Sequence, residues 1–368
     1  MTRHAPRTPH DAYARALRDA GLDSTTLGRD WLAASDSAVR SPLAVRLPAR
    51  ELGMYERHEA RAVAYRFQLR RGERLRATLR ADGLPARVFV DLYEVLADSA
   101  RGFVHQVSGA PTAAVDSAAA VVELSYEAAR DVQLVLRLQP ELLRSGRFTL
   151  TLQSGPTFAF PVQGRGNAAI QSLFGVEREG GRRVHHGIDI FAPRGTPVLA
   201  ATDGTVRSIE PNELGGNVVW QTDERREQTL YYAHLDRHHV VAGQAVHAGD
   251  TLGFVGNSGN ASTTPPHLHF GIYRRGEGPV DPLHYVRINT ALLPMLALDS
   301  ADVGRWAVTR RSDVAVRAGV SDSSAVLRRI PRATRVQIVG TSARMFRVQL
   351  DDGVSGYVTD ASISVSQH

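Results

Sequence analysis

Two histidines alternate with apolar residues in His267-Leu268-His269-Phe270, inside the run PPHLHFGIY. A β-strand turns successive side chains to opposite faces, so both imidazoles share one face while Leu268 and Phe270 take the other. At a rise of about 3.3 Å per residue, the two rings stand roughly 6.5 to 7 Å apart along the strand. A hydrophobic strand has no packing reason to carry such a pair, whereas a metal centre or a proton-transfer site does. Two further pieces offer complementary groups. In RVHHGIDIFAPRGTPV, His185 and Asp189 are four apart, and Gly187 with the β-branched Ile188 and Ile190 points to a loop entering a strand, not to a helix. In LYYAHLDR, His234 is expected to end an apolar strand. Nine of the 14 histidines fall between His185 and His284, so the chemistry is concentrated there.

Zinc takes about four ligands in a tetrahedron, and a catalytic zinc keeps one position for water. His185, Asp189 and one histidine of the pair would supply two neutral nitrogens and one carboxylate, leaving the ion net positive and able to acidify water. The other histidine of the pair is then free to reach water or substrate, and His234 can join it as a second acid–base group. The chain has no cysteine, which excludes thiolate metal sites, disulfides and cysteine nucleophiles. Any metal must be held by His, Asp or Glu.

Taken together, HxGxD at 185–189, YxHL at 232–235, GxxVxAGDTLGFVGNSG at 243–259 and HLHF at 267–270 closely resemble the lysostaphin/LytM-type zinc metalloendopeptidases. The resemblance covers about 160 to 288. It implies an antiparallel β-sheet with a metal in a groove on it, and cleavage of peptide bonds in peptidoglycan stems or cross-bridges. It also implies one Zn2+ per chain, held by His185, Asp189 and His269, with His267 and His234 as the catalytic pair that activates water and stabilises the tetrahedral intermediate. Two positions depart from the family pattern: Pro265-Pro266 stands where Gly-Pro is usual, and Gly271 where Glu commonly follows HLHF. Neither is a metal or catalytic position, so they bear on the groove wall and substrate preference. His186, His238, His239, His247 and His284 are read as solvated or structural, and Tyr231 and Tyr232 as core, one of them able to line the groove.

These residues need elements to position them. Tyr13, Ala16, Leu17 and Ala20 lie at helical spacing before Gly21, and Ser24 or Thr25 can cap a second short helix, giving an N-terminal helical segment over 1–42. From 43 to 155 the period changes to two, as in Tyr65, Phe67, Leu69, with turn signals between short strands. That predicts an antiparallel β-sandwich, loosely resembling the small jelly-roll-like sandwich attached to many secreted bacterial peptidases. The central peptidase domain is placed at 156–290 and a linker at 291–304. The unit 305–368 alternates in short strands and resembles a bacterial SH3-like domain, a small β-barrel, through VRAGVS, VQIVG, FRVQL and GYV. Such domains commonly bind cell-wall peptides. Its ten Arg against five Asp suit an anionic wall. The fold class is therefore mainly β with N-terminal helices.

The 43% hydrophobic and 22% charged content fit a soluble globular chain. No apolar run approaches the roughly 18 to 20 residues that cross a bilayer, so no transmembrane segment is expected. All 44 basic residues are arginine and the net charge is +6, which favours anionic partners. No basic helix or interleaved aromatic-basic run supports nucleic acid. Peptidoglycan is the expected partner of a monomer. Such a substrate implies an extracytoplasmic address, although MTRHAPRTPHDAYARAL shows no signal peptide. The competing reading is a non-catalytic wall-binding scaffold, or an activator of other cell-wall hydrolases, whose groove is plugged by the N-terminal region.

Overall fold

A computed structural model describes residues 8–83, 87–95, 104–106, 113–115 and 121–366. Residues 1–7 of the expected helical segment, four short stretches of the expected sandwich and residues 367–368 lie outside that range. Helix α1 (Pro9–Asp19) starts where Thr8 Oγ1 accepts from the Asp11 amide at 3.0 Å, and Gly21 follows it in the left-handed region at φ 69°. Helix α2 (Thr26–Arg40) is capped by Thr25, whose hydroxyl accepts from the Gly28 amide. Both helices seat on the sandwich through Trp31, which stacks on His10, meets Phe89 edge-on and donates its indole N–H to the Pro140 carbonyl at 2.7 Å.

The sandwich pairs two sheets face to face. One runs Leu43–Ala44, Val63–Leu69, Val132–Pro140, Val88–Val95 and Val104–Gln106, with Ala113–Val115 also on Val88–Val95. The other contains Ala49–Tyr55, Gly146–Pro156, Glu73–Gly83 and Val121–Glu127. The period-two reading holds residue by residue: Tyr65, Phe67 and Leu69 are buried while Arg66 and Gln68 face water. Leu75, Leu79, Leu92, Leu124, Leu134 and Leu150 fill the space between the sheets.

The second sheet does not stop at the sandwich. Leu52 and Gly53 of Ala49–Tyr55 pair with Thr341 and Gly340 of Arg335–Ser342, so the C-terminal strands extend it to 11 strands. Leu52 is buried with Val336, Ile338, Phe346 and Val348, in the apolar cluster of that C-terminal part.

The histidine-rich region forms a separate antiparallel sheet of ten strands. Its central order is Ile170–Ser172, Ile188–Phe191, His267–Arg274, Gln228–His238, Asn217–Asp223 and Gly204–Ser208. Ile188, Ile190, Leu230, Tyr232, Leu268, Phe270 and Ile272 turn to one face and are fully buried there. The alternate residues are thereby committed to the other face. The chain is mainly β, as its periodicity predicts, and among the described residues no helix is long and apolar enough to cross a membrane.

Candidate metal centre

Strand register brings the first two groups together. Asp189 lies directly opposite His269, and Phe191 opposite His267, across the antiparallel pair Ile188–Phe191 and His267–Arg274. Cross-strand partners hold their Cβ atoms about 4.5–5.5 Å apart, within reach of a shared ion. His185 arrives from outside the sheet, at the end of the short hairpin that pairs Glu177 with Val184 and Arg178 with Arg183. Its amide donates to the Val176 carbonyl at 2.9 Å, which fixes where the ring starts. Gly187 is required by the approach that follows: a Cβ there would stand 2.7 Å from His269 Cε1 and 2.5 Å from the Phe270 carbonyl oxygen.

Three donor atoms converge. His185 Nε2 is 3.0 Å from Asp189 Oδ1 and 2.9 Å from His269 Nδ1, and His269 Nδ1 is 3.0 Å from Asp189 Oδ1. A tetrahedral zinc with ligands at about 2.0–2.1 Å has edges of roughly 3.3 Å, so this triangle is close to one face of such a site. Among the described residues these three form the one group of metal-type donors that close together. The tautomer of His185 fits as well. Its Nδ1 lies 2.8 Å from the Leu173 carbonyl, which can only accept, so the proton sits there and the Nε2 lone pair faces the cluster. Burial pushes His269 down, toward the neutral form a metal needs.

His234 and His267 share the same groove, their ring centroids 5.0 Å apart. Each has Nδ1 at 2.9 Å from a backbone carbonyl, that of Ser258 for His234 and that of Pro265 for His267. Both rings therefore carry their proton on Nδ1 and keep the Nε2 lone pair free. Burial, reinforced by the neighbouring His267 and His269, lowers His234 to about 4. The expectation that His234 ends its strand is corrected: the strand Gln228–His238 runs on, and the register shifts just after His234. His234 itself takes a left-handed backbone, φ 64°, uncommon for a residue with a side chain. A bulge of this kind re-aims a side chain, here into the groove. His238 belongs to this strand too and not to a connection.

The other histidines keep away from the cluster: His186 is exposed and stacks on Phe174, His239 meets Phe254 edge-on, His247 is exposed, and His284 is half-buried on the short helix Leu283–Val286. Tyr232 is core, donating to Gln221 Oε1 at 2.7 Å, while Tyr231 lines the groove with Trp220 and Tyr273. One contributor has no motif to announce it. Arg178 Nη2 donates to Asp189 Oδ2 at 2.6 Å and to Ser172 Oγ at 2.6 Å, so the carboxylate turns one oxygen to the histidines and the other to a guanidinium. The groove they line together has a volume of about 700 Å³.

Residues 183–282 match the sequence profile of Peptidase family M23. The chain carries a Peptidase family M23 domain. Among similar proteins is the L-Ala–D-Glu endopeptidase of Bacillus subtilis (strain 168), 37% identical over 142 residues, which are 35% of this chain and 43% of that protein. Lysostaphin of Staphylococcus staphylolyticus is 36% identical over 88 residues, 24% of this chain and 18% of its own. Of solved structures, LytU is 39% identical and covers 32% of this chain and 83% of its own, at a TM-score of 0.30. The chain thus spans less than half the length of the curated relatives it matches. The M23 domain contains all five residues singled out by spacing: His185, Asp189, His234, His267 and His269.

Proposed function

We propose that the chain is a zinc-dependent endopeptidase that hydrolyses peptide bonds in peptidoglycan stem peptides or cross-links. The observation that carries this reading is the convergence of His185 Nε2, Asp189 Oδ1 and His269 Nδ1, with two imidazoles on the same groove floor that keep Nε2 free. The donor set suits zinc: two neutral nitrogens and one carboxylate, with no thiolate. Bound there, the ion supplies Lewis acidity to water and to a scissile carbonyl.

The remaining work falls to the chain. His234 is neutral at pH 7, and its Nε2 lone pair can take a proton from an attacking water. Once an imidazole of the pair is protonated, its Nε2–H can donate to the developing oxyanion or return the proton to the leaving amine. The carbonyls of Ser258 and Pro265 hold the two rings in the tautomer this requires. The groove's aromatic side, Trp220 with Tyr231 and Tyr273, offers a surface on which an extended peptide can lie.

The names of two relatives, an L-Ala–D-Glu endopeptidase and a peptidoglycan DD-endopeptidase of Vibrio cholerae, support a wall peptide as substrate. A wall substrate in turn places the protein outside the cytoplasm, and the SH3-like reading of 305–368 gives that unit a role in wall contact. The competing reading, a non-catalytic scaffold with a plugged groove, finds no support among the described residues, because none from 8–155 lines the groove. The deciding experiment is digestion of purified peptidoglycan by the wild-type chain and by His267→Ala, with metal analysis of both. New amine ends from the wild type alone, with equal zinc in both, establish the peptidase and identify its bond. No cleavage by a zinc-loaded wild type overturns it.

A further inference from the structure

A second cleft, of about 600 Å³, opens where the sandwich meets the M23 domain, and Arg46, Arg66 and Arg287 all line it. All three are exposed, and none forms an ion pair or side-chain hydrogen bond with a described residue. Their neighbours at the same junction behave differently. Arg70 is matched by Asp131, Arg71 by Glu277, and Arg74 and Arg226 by Glu127. The carboxylate that lines the cleft, Glu73, is engaged by the Arg70 amide at 2.8 Å, and the remaining titratable group is His284. Three guanidiniums thus line one cleft, and the one carboxylate there, Glu73, forms an ion pair with none of them.

The walls are fixed in place. Asn167 Nδ2 donates to the Ile288 carbonyl at 2.7 Å while its Oδ1 accepts from the Ile288 amide at 2.9 Å. Asn289 Nδ2 donates to the Ser154 carbonyl at 3.1 Å, tying the exit of the M23 domain to the sandwich. The cleft is also close to the catalytic groove. Asn167 lines the first and Gln171 the second, and four residues of chain span at most about 14 Å.

We propose that this cleft is an anion site that holds carboxylates of a peptidoglycan strand whose neighbouring peptide lies in the catalytic groove. Guanidinium matches carboxylate in charge and in planar, two-point geometry, and the Gln68 and Gln133 amides beside it can hydrogen-bond a peptide backbone. The inference rests on the peptidase reading for the identity of the polymer. It adds a subsite that selects for acidic strands and acts through binding, with no part in bond cleavage.

The test compares the chain with the triple variant Arg46→Gln/Arg66→Gln/Arg287→Gln. Binding to purified sacculi stripped of phosphate polymers is measured by pelleting, both proteins carrying His267→Ala to prevent digestion. Affinity is expected to fall about tenfold in the triple variant, the size of three exposed charge contacts. On sacculi whose carboxylates have been converted to neutral amides, the two proteins should bind alike. With His267 restored, both should cleave a short soluble stem peptide at the same rate, which also shows that the triple variant is folded. Equal binding to native sacculi overturns the proposal, as does a difference that survives amidation. If neither protein cleaves the soluble peptide while the affinity difference stands, the peptidase reading fails and the carboxylate site is upheld.

Discussion

Among the described residues, two of the buried clusters of ionisable side chains are built on opposite plans. In the sheet shared by the sandwich and the C-terminal strands, Glu51 Oε1 accepts from Tyr65 at 2.8 Å and from Arg347 Nε at 2.7 Å, and Oε2 accepts from Tyr357. Arg347 also donates to the Val339 carbonyl, so the charge is answered inside the protein. Burial, with Glu51 alongside, raises both tyrosines well above their ordinary value, and they remain neutral donors. In the M23 domain the three atoms of His185, Asp189 and His269 turn lone pairs toward a common point. The first cluster is complete and joins two parts of the fold. The second leaves three donor atoms facing one point, the arrangement a bound cation would need. A buried polar network with nothing left over is structural, and one with converging, unspent acceptors is a site.

The comparison breaks hardest at the metal ligands. His269→Ala or Asp189→Ala should empty the site, taking zinc from near one per chain to background and turnover down by more than about a thousandfold. His234→Ala or His267→Ala should instead keep the metal and lower turnover by about 10²–10⁴. Metal analysis alongside single-turnover rates separates the two classes, and equal metal loss in all four variants would show that the division of roles is wrong. In the complete cluster, Glu51→Leu strands Arg347 and should cost about 3–5 kcal/mol in denaturant unfolding. Adding Arg347→Met should recover much of that, while cleavage of a soluble substrate stays unchanged throughout.

A smaller effect belongs to His10, whose ring is buried against Trp31 and is lowered to about 4 by that burial, helped by Arg137. The unfolded chain takes up this proton near 6.5 and the folded chain only near 4, so between those values the unfolded state binds more protons and stability rises with pH. The contribution is complete above about pH 6.5 and should be lost on acidification toward pH 4, by up to about 3 kcal/mol. A His10→Phe variant should lack that part of the slope in thermal unfolding across the same pH range. Last, Arg178→Gln releases Asp189 Oδ2 without touching a ligand and should weaken zinc by about 10–100-fold in a chelator competition. No change there would mean that the guanidinium only screens the carboxylate.

The legible parts of this chain are those with short periods. The alternation of His267, Leu268, His269 and Phe270 decides by itself which face each occupies, and the helices declare themselves through Thr25 and Gly21. Which histidine of the pair stands across from Asp189 depends on strand register, a property of two segments 80 residues apart in the chain, so spacing alone leaves it open. The left-handed turn at His234 is hidden because nothing in the residue type asks for it. Arg178 reaches Asp189 through a hairpin with no fixed spacing to any motif. The pairing of Leu52 with Thr341 lies beyond local pattern altogether.

That pairing changes what the two ends of the molecule are to each other. A domain on a loose tether searches a volume, and its partner works anywhere inside it. Here the C-terminal strands are spliced edge to edge into the sandwich, and Glu127 of the sandwich takes Arg225 and Arg226 of the M23 domain in turn. The sandwich is therefore a ruler between the two, and whatever the C-terminal strands rest upon lies at a set offset from the groove.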